Sequence, residues 1–316
     1  MTRDAQTHST NIELAEPAPP ELAVGSELFL QVKVSCPAGC DLSGMPLAVT
    51  GPDGEVTTIK PRSGDDPVAA EAALRDITLR APQQVGEQVW SIRFPAHASE
   101  GVLHEECTLP VCVRTKPHAT SLAVWEIPSP VVIGERFSIK VGAKSSSGCE
   151  LKGKKILVSD PSGTVLGQGS LQEKPWPGTS ALYWTEVEVP APDQEGMFWG
   201  SVNFAAADIE TPHEQSSSKF SVVIVRPPEH RLTIEVLEKD SKAPIEDAQI
   251  RLGAYGAATD PSGRAQLALP KGTYDLTVWK VGYEAPGQIV DIHDDVSLQV
   301  EAVIVPPENP DAYWMM

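Results

Sequence analysis

The sequence predicts an all-β protein built as three consecutive β-sandwich domains, and three observations carry that reading. Gly134, Cys149, Leu151, Gly153, Pro161 and Gly163 repeat Gly25, Cys40, Leu42, Gly44, Pro52 and Gly54 at a constant offset of 109, with no insertion or deletion between the matches. A period of that length exceeds any solenoid repeat and suits one small β-sandwich. The 29 prolines and 24 glycines are spread along the chain beside an apolar content of 41%, which fits many short strands joined by turns rather than disorder. Apolar residues alternate at period two, and few long windows escape Pro or Gly, so helices are not expected.

The first domain is expected over 11–115, after a flexible start at 1–10. Leu28, Leu30, Val32 and Val34 alternate with Glu27, Phe29, Gln31 and Lys33 as a strand with one apolar face, which Cys36-Pro37-Ala38-Gly39-Cys40 ends. Gly51-Pro52-Asp53-Gly54 reads as a hairpin turn, and strands follow over Ala73–Arg80, Trp90–Phe94 and through Leu109, Val111 and Val113. The second domain, 116–228, repeats that order: Arg136–Val141, Lys155–Val158, the turn Asp160-Pro161-Ser162-Gly163, Thr185–Val189, Ser201–Phe204 and Phe220–Val225. Arg226-Pro227-Pro228-Glu229 is a short stiff linker. The order of an apolar strand, a Pro-Gly hairpin, Ala-Pro, Gly and an aromatic strand resembles bacterial immunoglobulin-like domains, which are spacers and adhesive modules more often than enzymes.

A third domain is expected over 229–305, before a tail at 306–316. It carries the strand Leu232–Val236, then Ala243–Ile250, the turn Thr259-Asp260-Pro261-Ser262-Gly263, the run Pro270-Lys271-Gly272-Thr273-Tyr274-Asp275-Leu276-Thr277-Val278, and Val281-Gly282-Tyr283. Gly263 and Gly272 supply turn conformations, and Tyr274, Leu276 and Val278 share one face. This run resembles the carboxypeptidase regulatory-like domain, which implies a transthyretin-like sandwich and leaves function open, because the module is appended to many proteins. The opening strand is also similar to that of transthyretin-related hydroxyisourate hydrolases. Glu235 stands where that family has its catalytic His, and the chain ends Asp311-Ala312-Tyr313-Trp314-Met315-Met316 instead of Tyr-Arg-Gly-Ser, so hydrolase activity is not expected.

The formal net charge is −18. Residues 1–115 and 229–316 each carry −8 and the middle segment −2, a field that repels a phosphate backbone, so nucleic-acid partners are not expected. The first 26 residues lack a basic start and an apolar segment, so no secretory signal is read there. No window approaches a membrane span. The chain is therefore read as cytoplasmic, with removal of a leader or leaderless export as the alternative.

The repeat supplies an internal control for the five cysteines. Cys40 recurs as Cys149, so that position is expected to face the core in both copies, whereas Cys36, Cys107 and Cys112 correspond to Ser145, Ser216 and Ser221. Three readings stay open: small buried residues, a disulfide from Cys107 to Cys36 or Cys40, and a zinc site using Cys36, Cys40, His104 and Cys107. His104-Glu105 recurs as His213-Glu214 and is assigned a structural role in its loop. His97-Ala98-Ser99-Glu100 has the His-x-x-Glu spacing of metallocarboxypeptidases but sits in a loop of a small sandwich, and is read as coincidence. The acid pairs Asp65-Asp66 and Asp294-Asp295 lack EF-hand spacing. Trp176, set between Pro175 and Pro177, is read either as a loop ring folded back to cap a sandwich end or as a docking or sugar-stacking ring. Trp90, Trp184, Trp199 and Trp279 read as core or half-buried, and Tyr313 and Trp314 at the tail as part of either a frayed end or a docking plug.

Together these features predict a non-catalytic scaffold that presents loops and strand edges to a protein partner, with no cofactor. A carbohydrate-binding protein using Trp176 is the first alternative. A metalloprotein built on the first domain's Cys/His cluster is the second.

Overall fold

A computed structural model describes residues 6–42, 44–60, 72–99, 101–205 and 210–305. Among them there is no helix, and so none long and apolar enough to cross a membrane. The all-β expectation is met by 27 strands among the described residues.

The first eleven strands run β1 (Gln6–His8), β2 (Asn11–Leu14), β3 (Glu21–Ala23), β4 (Glu27–Ser35), β5 (Leu47–Thr50), β6 (Val56–Ile59), β7 (Ala72–Arg80), β8 (Gly86–Phe94), β9 (His97–Ser99), β10 (Val102–His104) and β11 (Cys107–Lys116). They form a sheet β2-β4-β7, a sheet β3-β11-β8-β5-β6 and a small sheet β1-β10-β9. Gln6–His8 thus forms a paired strand inside the segment expected to be flexible. The alternation read from β4 holds: Leu28, Leu30, Val32 and Val34 are buried and pack with Trp90, Ile92 and Phe94 into one core. Burying side chains of this size contributes about 1.5–3 kcal/mol each.

The next eight are β12 (Thr120–Trp125), β13 (Val131–Val132), β14 (Arg136–Ser145), β15 (Lys155–Ser159), β16 (Val165–Ser170), β17 (Tyr183–Pro190), β18 (Gly196–Phe204) and β19 (Ser216–Val225). Their sheets are β12-β14-β17 and β13-β19-β18-β15-β16. Strand for strand, both orders match those of the first repeat, so the duplication read from glycines and prolines is a duplication of topology.

One core position shows how the second copy is repacked. Trp90 pairs with Val111 across β8 and β11, and its side chain is buried. The matching pair is Gly200 and Phe220, across β18 and β19. A Cβ on Gly200 would lie 2.4 Å from the Phe220 ring, so the ring fills the space that a tryptophan fills in the first copy. With Gly200 inward, strand parity turns Trp199 outward, where it is 55% exposed. Trp279 is 63% exposed. The expectation that these two tryptophans are core or half-buried is corrected, whereas Trp90 is buried and Trp184 half-buried.

The last eight are β20 (His230–Glu238), β21 (Gln249–Leu252), β22 (Tyr255–Ala258), β23 (Arg264–Leu269), β24 (Gly272–Lys280), β25 (Tyr283–Glu284), β26 (Gln288–Ile292) and β27 (Val296–Ile304). They pair in the order β22-β21-β24-β25-β27-β20-β23, with β26 also on β24. Leu232, Ile234, Val236, Ile250 and Leu276 lie in their common core.

By compactness the chain divides into two units. One holds residues 1–121 with 144–149 and 206–215, and the other holds 122–143, 150–205 and 216–316.

Candidate metal centre

In the first unit, β1 and β10 run parallel with His8 opposite His104, and β9 runs antiparallel to β10 with His97 opposite His104. Three imidazoles therefore sit side by side: His97 stacks on His104 at 4.7 Å between ring centroids, and His8 meets His104 edge-on at 5.9 Å. The thiols come from the end of β4. Cys36 follows its last residue, and the chain then turns back through Gly39, whose φ of 76° suits glycine and whose amide donates to Cys36 O at 2.9 Å. This turn delivers Cys40, whose Sγ lies 3.1 Å from His8 Nδ1.

One ligand atom from each of His8, Cys36, Cys40 and His104 lies within 4.8 Å of the other three. His104 is 3% exposed, and neither of its ring nitrogens has a hydrogen-bond partner among the described residues. A buried polar group left unsatisfied costs about 1–3 kcal/mol, and His104 has two such nitrogens. Burial, with His97 and His8 beside it, pushes the imidazole below its ordinary value, so it stays in the neutral form that ligates metals. For Cys36, burial pushes the thiol up, but hydrogen bonds from the Ala38 and Cys40 backbone and the Cys40 side chain outweigh it and leave the pKa lowered.

All five cysteines lie among the described residues and are free thiols there. Cys107 lies outside the cluster: Thr10 Oγ1 sits 3.2 Å from its Sγ, and burial pushes this thiol up. His8 takes the fourth place. The sequence carried a signal for it, because His8-Ser9-Thr10 recurs as His118-Ala119-Thr120 at an offset of 110. Glu100 lies outside the described residues, and with it the His-x-x-Glu pair.

The second repeat rebuilds most of this site. His118 pairs with His213 in a parallel bridge, as His8 does with His104. Glu214 N donates to His118 O at 2.9 Å and Thr120 Oγ1 to Glu214 O at 2.7 Å, matching Glu105 N to His8 O at 3.0 Å and Thr10 Oγ1 to Glu105 O at 2.7 Å. The Ser145–Cys149 turn uses Gly148 at φ 69° as the first copy uses Gly39. It brings Cys149 Sγ to 3.0 Å from His118 Nδ1. Ligand atoms of His118, Cys149 and His213 all lie within 4.8 Å of one another. The position expected to face the core in both copies is half-buried: Cys40 packs against the first core while its Sγ meets His8, and Cys149 Sγ meets His118.

The remaining candidates separate from these clusters. Trp176 is half-buried and packs edge-to-face on Trp125 at 5.1 Å and on Trp184 at 4.8 Å, with Lys140 Nζ 5.4 Å from its ring centroid. Tyr313, Trp314 and Asp65-Asp66 lie outside the described residues. Asp295 accepts the Arg231 amide at 2.8 Å.

No family model and no curated protein matches the sequence. Solved structures similar to it include BcpA, the major pilin subunit of Bacillus cereus, at 10% identity over 83% of this chain and 95% of that one, with a TM-score of 0.23. Domains 4 and 5 of the S-layer protein SbsC match at 14% over 68% and 97%, with a TM-score of 0.25. The D1–D4 ectodomain fragment of ICAM-5 matches at 16% over 89% and 75%, with a TM-score of 0.31. These scores are too low to transfer anything to this chain.

Proposed function

We propose that this protein is a non-catalytic scaffold of tandem β-sandwiches whose first sandwich is pinned at one end by a structural zinc ion on His8, Cys36, Cys40 and His104. One observation carries this reading: four ligating side chains converge within 4.8 Å, and one of them, His104, is buried with both nitrogens unpartnered among the described residues. Zinc bonds of about 2.0–2.1 Å to nitrogen and 2.3 Å to sulfur put neighbouring ligands of a tetrahedron roughly 3.4–3.8 Å apart, so a small contraction closes the set. Two thiolates also neutralise the ion, which keeps the cost of burying it low. Two Cys and two His make a closed coordination shell of the structural kind.

The metal ties β1 and β10 to the turn after β4, three segments that are otherwise short or irregular. The scaffold meets a protein partner through β6 and β16, the strands that end the five-stranded sheets among the described residues. Trp176 supports sugar stacking less well, since its ring is already packed on two others. The first two sandwiches, with a boundary near 115, are read as immunoglobulin-like modules, and residues 229–305 as a carboxypeptidase regulatory-like module.

The test is elemental analysis of the purified 316-residue chain after exposure to Zn2+ and gel filtration. Retained zinc that falls by one equivalent in both Cys36→Ser and His104→Ala is the expected result. Wild-type protein without bound zinc, or zinc indifferent to both changes, sinks the reading.

A further inference from the structure

We infer that His118, Cys149 and His213 form a second metal site, one with three protein ligands and a fourth position open to a small anionic ligand. The inference stands on its own residues and does not need the first site.

Each histidine is oriented as a metal ligand is. A backbone carbonyl can only accept, so the ring nitrogen beside it must carry the proton. His118 Nε2 lies 2.8 Å from Val24 O, so in the neutral ring Nδ1 is the acceptor, facing Cys149 Sγ at 3.0 Å. His213 Nδ1 lies 2.7 Å from Thr211 O, so in the neutral ring Nε2 is the acceptor. That Nε2 is buried, on a residue only 7% exposed, and has no partner among the described residues. Metal-bound histidines characteristically give their other N–H to a carbonyl or carboxylate, which fixes tautomer and ring direction. Here both rings are held that way, and one lone pair is left with nothing to accept. A simple Cys149 S–H to His118 Nδ1 hydrogen bond accounts for two of the three groups and leaves His213 unexplained.

The fourth ligand is what the two copies do not share. Cys36 corresponds to Ser145, a residue with 0% exposure whose hydroxyl is not among the usual zinc ligands. With one thiolate instead of two, a divalent ion on His118, Cys149 and His213 keeps one positive charge. Sites with three protein ligands complete their shell with water or an exogenous group, and the residual charge selects an anion: hydroxide, azide, a carboxylate or a thiolate. Cys149 is only half-buried, so the cluster is not sealed. The first site is predicted to be closed and the second open, on the same scaffold.

The test uses the 316-residue chain loaded with Co2+ as a spectroscopic probe and then titrated with azide. Wild type is expected to bind two equivalents, with thiolate-to-cobalt charge-transfer absorption, and azide is expected to shift the visible bands of one equivalent only. Cys149→Ser and His213→Gln should each lose that equivalent and the azide response, while Cys36→Ser and His104→Ala keep it. One equivalent that disappears with Cys36→Ser and survives Cys149→Ser overturns the second site and leaves the first standing. One equivalent with the opposite dependence supports the second site and removes the first. Two equivalents with no azide shift in wild type, a result that needs no variant to fold, overturn the open position.

Discussion

His8 Nδ1 lies 3.1 Å from Cys40 Sγ, and the corresponding pair His118 and Cys149 repeats the contact at 3.0 Å. A duplication conserves topology because the core requires it. Here the duplication also repeats a part-buried contact at the sandwich end, between a histidine on a short paired segment and the cysteine that closes a glycine turn.

Metal removal should destabilise the protein measurably. An ion bound only by the native state adds about 4.1 kcal/mol when its free concentration is a thousand times the dissociation constant. Thermal melts with and without a chelator check this. A lower Tm under chelator that recovers when Zn2+ is restored is the expected outcome.

The effect of His104→Leu should change sign with metal. In the zinc-loaded chain it removes a ligand and lowers stability. In the stripped chain it removes two nitrogens without a partner among the described residues, a cost of about 1–3 kcal/mol each, and a leucine of similar bulk fills the space. Urea titrations of both forms should show loss in the first and gain or no change in the second.

Ser145→Cys should convert the open site into a closed one. The turn geometry through Gly148 already matches that through Gly39, so the new thiol has the placement of Cys36. Tighter Co2+ binding, stronger charge-transfer absorption and loss of the azide shift are expected. An unchanged azide response would show that residue 145 does not face the ion.

Trp176→Ala should cost about 1–3 kcal/mol, below the range for a fully buried tryptophan because the ring is half-buried. Trp176→Phe should recover part of that loss through the remaining edge-to-face contacts. A ring standing free in a loop would give no change, so urea unfolding of the two variants separates packing from display.

Alkaline pH should weaken the second unit through Tyr255. Burial, with Tyr274 and Glu195 adding to it and Arg226 opposing, pushes its phenol from 10.0 up to about 12. The unfolded chain then loses this proton first. Any stability the neutral phenol contributes is complete below pH 10, and it declines as the pH rises from 10 towards 12. Tyr255→Phe should flatten that decline in denaturant titrations across the interval.

The sequence made the strands and their duplication legible, because glycine and proline turns are local and the apolar alternation is regular. It also exposed Cys40 with Cys149 and His104 with His213 as recurring pairs. What it hid was non-local. His8 sits on a three-residue strand, too short to show a period, just ahead of the boundary set at Asn11. Cys107 looked available because it opens the last strand of its sandwich, yet its thiol meets Thr10. Trp176 meets Trp125 from 51 positions away, a contact no local pattern announces. Trp199 read as core until strand parity around Gly200 turned it outward.

The most direct measurement is zinc K-edge X-ray absorption on the zinc-loaded 316-residue chain. The account predicts a mixed first shell with sulfur near 2.3 Å and imidazole nitrogen at about 2.0–2.1 Å, with less sulfur after Cys36→Ser or Cys149→Ser. A shell of light atoms only, unaffected by either change, would contradict it.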